Sequence, residues 1–283
     1  MSTLRTAPAS SHFIDVDGIK LHYLDYGVEG RRPMLCVHGA AAHAHWFDFA
    51  APGLIPTHHV RSLDLRGHGD SQWAEQQTYD FLRFAADLNA VVEALDLRDF
   101  DLVGHSMGGM VSLVYASTYP GRLGRLVIVD TIMLMPMQRI TAMRAFGLTT
   151  PSSYDSQADL VARYRLNPPE THIAPPEVIH HMAMHSGRQM PDGRWQHKAD
   201  RRVYANTRQI EGMPMWEKIK VPALVIRGEH STRFRPEEVA RIHALAPQVR
   251  MAEVSASNHH IMMDNPNEFV DVVQSFLNPL MPT

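Results

Sequence analysis

The sequence predicts an α/β fold: a mainly parallel sheet with helices on both faces, interrupted by a helical insertion after the sixth strand. Three observations predict it. Short apolar, β-rich runs alternate with helix-period stretches over the first third of the chain. That rhythm stops near Thr131 and resumes after Trp216. The composition, 45% hydrophobic and 20% charged over 283 residues, is that of a globular chain long enough for one large domain with an insertion.

The elements follow in order. Residues 13–16 and 21–26 read as strands joined by Asp17-Gly18, a two-residue hairpin turn. A compact apolar run at 34–37 ends in His38-Gly39, and a strand at 60–65 ends in Arg66-Gly67-His68-Gly69. Phe81, Phe84, Ala85, Leu88, Val91, Val92 and Leu95 recur at helical spacing, with Thr78 and Asp80 as candidate caps. Residues 100–103 form a buried strand, 107–119 a helix that Pro120 stops, and 126–129 another strand. Strands separated by crossover helices make a parallel sheet covered on both faces.

Residues 131–216 are richer in Met, Pro, Arg and His, are broken at Pro168-Pro169 and Pro175-Pro176, and carry ten Lys and Arg against seven Asp and Glu. Beyond Trp216 come a strand at 223–226, a helix at 236–245 with Pro in its first turn, a strand at 249–254 and a closing helix at 266–276. The expected division is a core of 1–131 plus 217–283 and a helical insertion at 132–216.

Composition excludes several classes of function. With 27 Lys and Arg against 30 Asp and Glu, the net charge is −3, so a basic footprint for nucleic acid is missing. No apolar run approaches the ~20 residues of a membrane span. The first twelve residues lack the apolar core of a secretory signal. Cys36 is the only cysteine, so neither an intramolecular disulfide nor a CxxC metal knuckle can form. The expectation is a soluble, cytoplasmic protein without nucleic-acid or membrane partners; a homodimer is left open.

The strongest chemical signal is Gly104-His105-Ser106-Met107-Gly108, directly between a strand and a helix. It fits G-x-S-x-G, in which a sharp strand-to-helix turn exposes the central serine and side chains two positions away would collide. The Met107 N–H then points toward a developing oxyanion.

With this turn in place the sequence resembles the α/β-hydrolase family over nearly its whole length. His38-Gly39 looks like the family's oxyanion-loop motif. Residues 64–71, Asp-Leu-Arg-Gly-His-Gly-Asp-Ser, look like its D-x-R-G-x-G-x-S turn, and residues 221–229 look like the strand before its usual acid. The resemblance implies an eight-stranded, mainly parallel sheet with a helical cap after strand six, and hydrolysis at Ser106.

A serine hydroxyl needs a base within hydrogen-bond reach. The resemblance points to His259, after the last strand and seven residues before Pro266, although Asn258 stands where relatives carry Gly. His260 is the alternative; His105 is expected to pack or hydrogen-bond locally. The usual acid position holds Ser231, which cannot balance an imidazolium. Asp130, at the end of the sixth strand, is then the expected acid, as in some relatives, with Glu229 and Asp264 as the other candidates. The oxyanion hole is expected from the N–H groups of Met107 and Ala40, with Ala41 as the fallback.

No metal or cofactor is expected. His43-Ala44-His45, His58-His59 and His180-His181 diverge as neighbours, without a carboxylate cluster to complete a shell. The glycine-rich turns lack dinucleotide and P-loop signatures. Ile132, Met133, Leu134, Met135 and Met137 suit either a pocket wall or ordinary core, and Trp46 packing. Arg201, Arg202 and Arg208 could bind a carboxylate-bearing substrate.

The expected activity is hydrolysis of a carboxylic ester or related small-molecule acyl compound. Two alternatives stand beside it. The run 227–231 resembles a hydrolase group of vitamin B6 degradation that acts on succinate-derived amides, which implies amide or carbon–carbon bond hydrolysis on a small carboxylate. With Ser231 in the usual acid position, a non-catalytic ligand-binding member of the fold is the other.

Overall fold

The computed structural model describes residues 4–76, 78–167 and 173–278. Residues 1–3 of the stretch read for a signal, and the break at Pro168-Pro169, lie outside the described residues. Ten strands occur: β1 (Ser10–Val16), β2 (Ile19–Asp25), β3 (Arg32–Val37), β4 (His58–Leu63), β5 (Phe100–His105), β6 (Leu123–Val129), β7 (Gly187–Gln189), β8 (Trp195–His197), β9 (Ala223–Gly228) and β10 (Arg250–Val254). Eight of them form one sheet in the order β1-β2-β4-β3-β5-β6-β9-β10.

The β1–β2 hairpin turns on Asp17 and Gly18, both at positive φ, and β2 also runs antiparallel to β4. From β4 to β10 every pairing is parallel. The period-two pattern of the central strands explains why helices cover both faces. Leu35, Val37, Leu102, Leu126 and Ile128 point into one apolar cluster, under the helices Phe81–Ala94 and Met107–Thr118. Met34, Cys36, Val103, Val127 and Val129 point into the other, with Phe269, Val273 and Phe276 of the closing helix Pro266–Leu277. The helix Phe81–Ala94 starts where Asp80 accepts the Arg83 N–H at 2.9 Å. Thr78, the other candidate cap, instead takes a hydrogen bond from Arg66.

The segment between β6 and β9 holds helices Met137–Gly147, Gln157–Arg163, Pro176–His185 and Arg202–Ala205. It also holds the antiparallel pair β7/β8, so it is not wholly helical as expected; three-residue strands carry too little periodicity to show in sequence. Asp200 ties this segment to the turn after β4, donating its N–H to Gly67 O and accepting from the Tyr79 hydroxyl. No helix of the described residues is long and apolar enough to cross a membrane.

That turn is built on Asp64. Its buried carboxylate takes the Asp70 N–H at 2.9 Å, the His22 ring at 2.7 Å and the Ala44 N–H, which anchors the loop after β3. Gly69 sits at φ 48°, where a Cβ would enter the Asp64 carboxylate. Burial alone would raise the Asp64 pKa; the hydrogen bond from His22, the charges of His38 and His22 and the Asp70 N–H outweigh it and bring it to about 2. A depressed folded-state pKa contributes stability that is present above the unfolded value and lost as pH falls through the folded one. Chemical denaturation of Asp64→Asn should therefore show a loss of about 2–4 kcal/mol at pH 7, and a shallower fall in stability between about pH 4 and pH 2 than the wild type. An unchanged pH profile would remove the carboxylate from this role.

Candidate active site

Neighbouring strand ends deliver the anticipated residues to one place. Ser106 follows β5, Asp130 follows β6, and Ser231 stands three residues beyond β9. His259 comes from the loop after β10, before a short helix Ile261–Asp264.

Ser106 has φ 54° and ψ −115°, a strained backbone for a non-glycine residue. The glycines around it are required by close approach. A Cβ on Gly108 would strike the carbonyls of Val37 and His38, and one on Gly104 would strike Ser112 Oγ and the Gly108 carbonyl. Thr131 supports the turn by donating its hydroxyl to Ser106 O at 3.2 Å.

The His259 Nε2 lies 2.9 Å from Ser106 Oγ, and its Nδ1 lies 2.6 Å from Asp130 Oδ2. With a carboxylate at Nδ1 the ring carries its proton there, so Nε2 is free to accept the Ser106 hydroxyl proton. Asp130 is buried and itself at positive φ, 44°. Burial pushes its carboxyl up, partly offset by the hydrogen bond from Ser231. Burial pushes the His259 imidazole down, with the charge of Arg139 adding to the effect. The ring is therefore held neutral, the form that can take a proton.

Ser231 does what the sequence did not reveal. Its hydroxyl donates to Asp130 Oδ2 at 2.6 Å, so the position that lacks the usual acid instead holds the acid on the neighbouring strand. His105, expected to pack or hydrogen-bond locally, is buried against the rings of Trp46, His259 and His260, and its Nε2 also reaches across to the His259 carbonyl at 2.8 Å and fixes that loop. Asp264 shapes the same loop, accepting the Asn258 N–H at 2.8 Å and the Ala174 N–H at 3.0 Å. Glu229 is exposed and holds the Ala256 N–H, while His260 is buried edge-on to Trp46.

Gly39 brings the loop after β3 against Ser106: a Cβ there would lie 3.3 Å from the serine Cβ. Ala40 and Met107 line the same pocket as Ser106 and His259. Among the described residues neither backbone N–H donates a backbone hydrogen bond, and that of Met107 is the first of its helix. Ala41 stands at φ 56° and does not line the pocket.

The pocket has a volume of about 190 Å³. Ile132 and Met135 line it, together with Met143, Val203, Tyr204 and Ile210, which sequence reasoning did not single out. Met133 is core, against Trp216, and Leu134 and Met137 are exposed. Trp46 is buried and also lines the pocket. Of the three arginines considered, only Arg208 reaches it; Arg202 pairs with Asp200 and Arg201 lies over Phe146. Arg139 and Arg233 also line it.

His58 and His59 turn apart, to Asp101 and Asp25, but the rings of His43 and His45 meet edge-on at 5.8 Å. Contrary to expectation a carboxylate does join histidines of different pairs: His45 and His181 approach each other together with His185 and Asp48. Sequence spacing within each pair could not show an encounter between two elements.

Residues 32–266 match the family described as alpha/beta hydrolase fold. The chain is 28% identical to a serine hydrolase-like protein of Danio rerio, over 99% of this chain and 92% of that protein. It is 26% identical to the N-formylmaleamate deformylase of Pseudomonas putida, over 94% of this chain and 95% of the relative. The solved structure of E-2-(acetamidomethylene)succinate hydrolase superimposes with a TM-score of 0.82 at 22% identity, over 96% of this chain and all of that one.

Because the Gly108 contacts are with backbone, they cannot relax by a side-chain rotation. Gly108→Ala should lower unfolding stability by about 1–3 kcal/mol or more, whereas Gly121→Ala, with open space around its Cβ, should leave the denaturation midpoint nearly unchanged. Equal midpoints for the two variants would contradict the close approach.

Proposed function

The chain belongs to the alpha/beta hydrolase fold family, and from that membership we propose that it is a serine hydrolase cleaving a carboxylic ester or related acyl compound through an acyl-enzyme on Ser106. The observation that carries this reading is the continuous line Asp130–His259–Ser106, at 2.6 and 2.9 Å, opening into an apolar pocket.

Ser106 Oγ adds to the substrate carbonyl carbon while its proton passes to His259 Nε2. Asp130 balances the imidazolium and holds its orientation. The N–H groups of Met107 and Ala40 stabilise the carbonyl oxygen as it gains charge. The acyl–oxygen bond then breaks, and the leaving alcohol takes the proton from Nε2. Water repeats the sequence: His259 removes its proton, the hydroxide adds to the acyl carbon, and Ser106 departs with the proton as the acid is released. Nucleophile, base and oxyanion donors all come from the chain, so the reaction as written needs no cofactor. The segment 132–216 acts as a cap, since many of the pocket-lining side chains belong to it.

A second reading concerns the substrate. Arg139, Arg208 and Arg233 at an otherwise largely apolar pocket favour an acyl compound, ester or amide, that bears a free carboxylate. The name of the deformylase relative belongs to that chemical class.

With p-nitrophenyl butyrate, the wild type should give a burst of p-nitrophenol and Ser106→Ala none. Asp130→Asn should lower kcat by roughly 10³–10⁴ while Glu229→Gln leaves it unchanged. A loss carried by Glu229→Gln would displace Asp130 as the acid. For the substrate reading, a monomethyl dicarboxylate ester should be preferred over its neutral dimethyl ester by about tenfold, with the preference lost in Arg208→Ala. Preference for the neutral ester would sink it.

A further inference from the structure

A second group of side chains converges where the segment after β6 meets the core, and none of the four lines the pocket of Ser106. His45 lies in the 3-10 turn Ala44–Phe47, and Asp48 ends it. At three residues per turn, the two share a face. His181 and His185 stand four apart on the helix Pro176–His185 and also share a face. The two faces meet, so that one donor atom from each of the four residues lies within 4.8 Å of all the others.

Hydrogen bonding accounts for part of this cluster. His45 Nδ1 and His181 Nε2 both reach Asp48 Oδ2, at 2.9 and 2.6 Å, and the Tyr26 hydroxyl donates to the other oxygen at 2.5 Å. His185 is not accounted for. Among the described residues its ring makes no hydrogen bond; it stacks on His45 at 3.6 Å and lies 4.7 Å from His181.

We propose that His45, Asp48, His181 and His185 bind one divalent transition-metal ion of the Zn2+ class, clamping the helix Pro176–His185 to the turn Ala44–Phe47. Three imidazole nitrogens and one carboxylate oxygen suit tetrahedral zinc; calcium and magnesium want more oxygens. Zinc–nitrogen bonds of about 2.0–2.1 Å put tetrahedral donors roughly 3.3 Å apart, so no pair has to close by more than about 1.5 Å, while His45 Nδ1 and His181 Nε2, now at 2.9 and 2.6 Å from Asp48 Oδ2, move slightly apart from it. Side-chain rotations of the partly exposed rings cover that distance. The ion replaces the two hydrogen bonds at Asp48 Oδ2, while Tyr26 goes on orienting the carboxylate from its other oxygen. Because the ligands lie outside the pocket, the ion is structural: it fixes the turn that carries Trp46.

The test uses the full chain without an affinity tag, stripped with chelator and titrated with Co2+. One equivalent should develop the visible absorption of a tetrahedral site, and one equivalent of Zn2+ should abolish it and raise Tm. His181→Gln and His185→Ala should each weaken Co2+ binding at least about tenfold, while His180→Ala, on the exposed face of the same helix, leaves it unchanged. The Tm of each metal-free variant reports whether it folds, and either folded variant decides the question. Absence of a saturable one-equivalent spectrum, or binding undiminished in a folded His181→Gln or His185→Ala, overturns the proposal.

Discussion

Asp130 places a carboxylate where no water reaches it, and such a group is tolerated only if its charge is shared by donors fixed around it. Two of them converge on Oδ2: the Ser231 hydroxyl and the His259 ring, each at 2.6 Å. The sheet order makes this possible. β5, β6 and β9 are consecutive neighbours, so the residues after their ends, Ser106, Asp130 and Ser231, lie side by side. His259 then arrives from beyond the last strand and bridges the first two. The carboxylate on β6 thus meets the imidazole, and Ser231, beyond the next strand, adds a hydrogen bond to it.

The rest of the site is arranged to hold strained or awkward backbone in place. Ser106 and Asp130 both sit at positive φ, and each depends on rigid surroundings. Gly104 and Gly108 let strand, helix and the loop after β3 approach at backbone contact, and Thr131 hydrogen-bonds the strained turn. Asp64 does similar work at one remove. It ties the turn after β4 to the Ala44 N–H, and so steadies the loop that carries Ala40. His105 pins the His259 carbonyl from the opposite side.

What the sequence made legible follows from where the information resides. Strands β3, β5 and β6 are buried on both faces and read as short apolar runs; their ends were placed within a few residues. Ser106 and His259 were legible because a turn motif and a fixed spacing from Pro266 are local patterns. Asp130 was legible only by elimination, from the absence of an acid at Ser231 and from the resemblance. The hydrogen bond from Ser231 was not, because it depends on adjacency of β6 and β9 and joins two residues, Asp130 and Ser231, 101 apart in the chain. The same limit hid the meeting of His45 and Asp48 with His181 and His185, and the pocket-lining roles of Met143, Tyr204 and Ile210. The β7/β8 pair was hidden for a different reason, since three residues hold less than two full periods of strand alternation.

The proposed mechanism requires that the buried Asp130 carboxylate, and no other acid, hold the His259 proton at Nδ1. Proton NMR of the resting protein with 15N-labelled histidine addresses that bond without any substrate. One strongly downfield imidazole N–H resonance assigned to His259 is expected, retained in Glu229→Gln, shifted in Ser231→Ala and lost in Asp130→Asn. A downfield resonance that survives in Asp130→Asn, or disappears in Glu229→Gln, would contradict it.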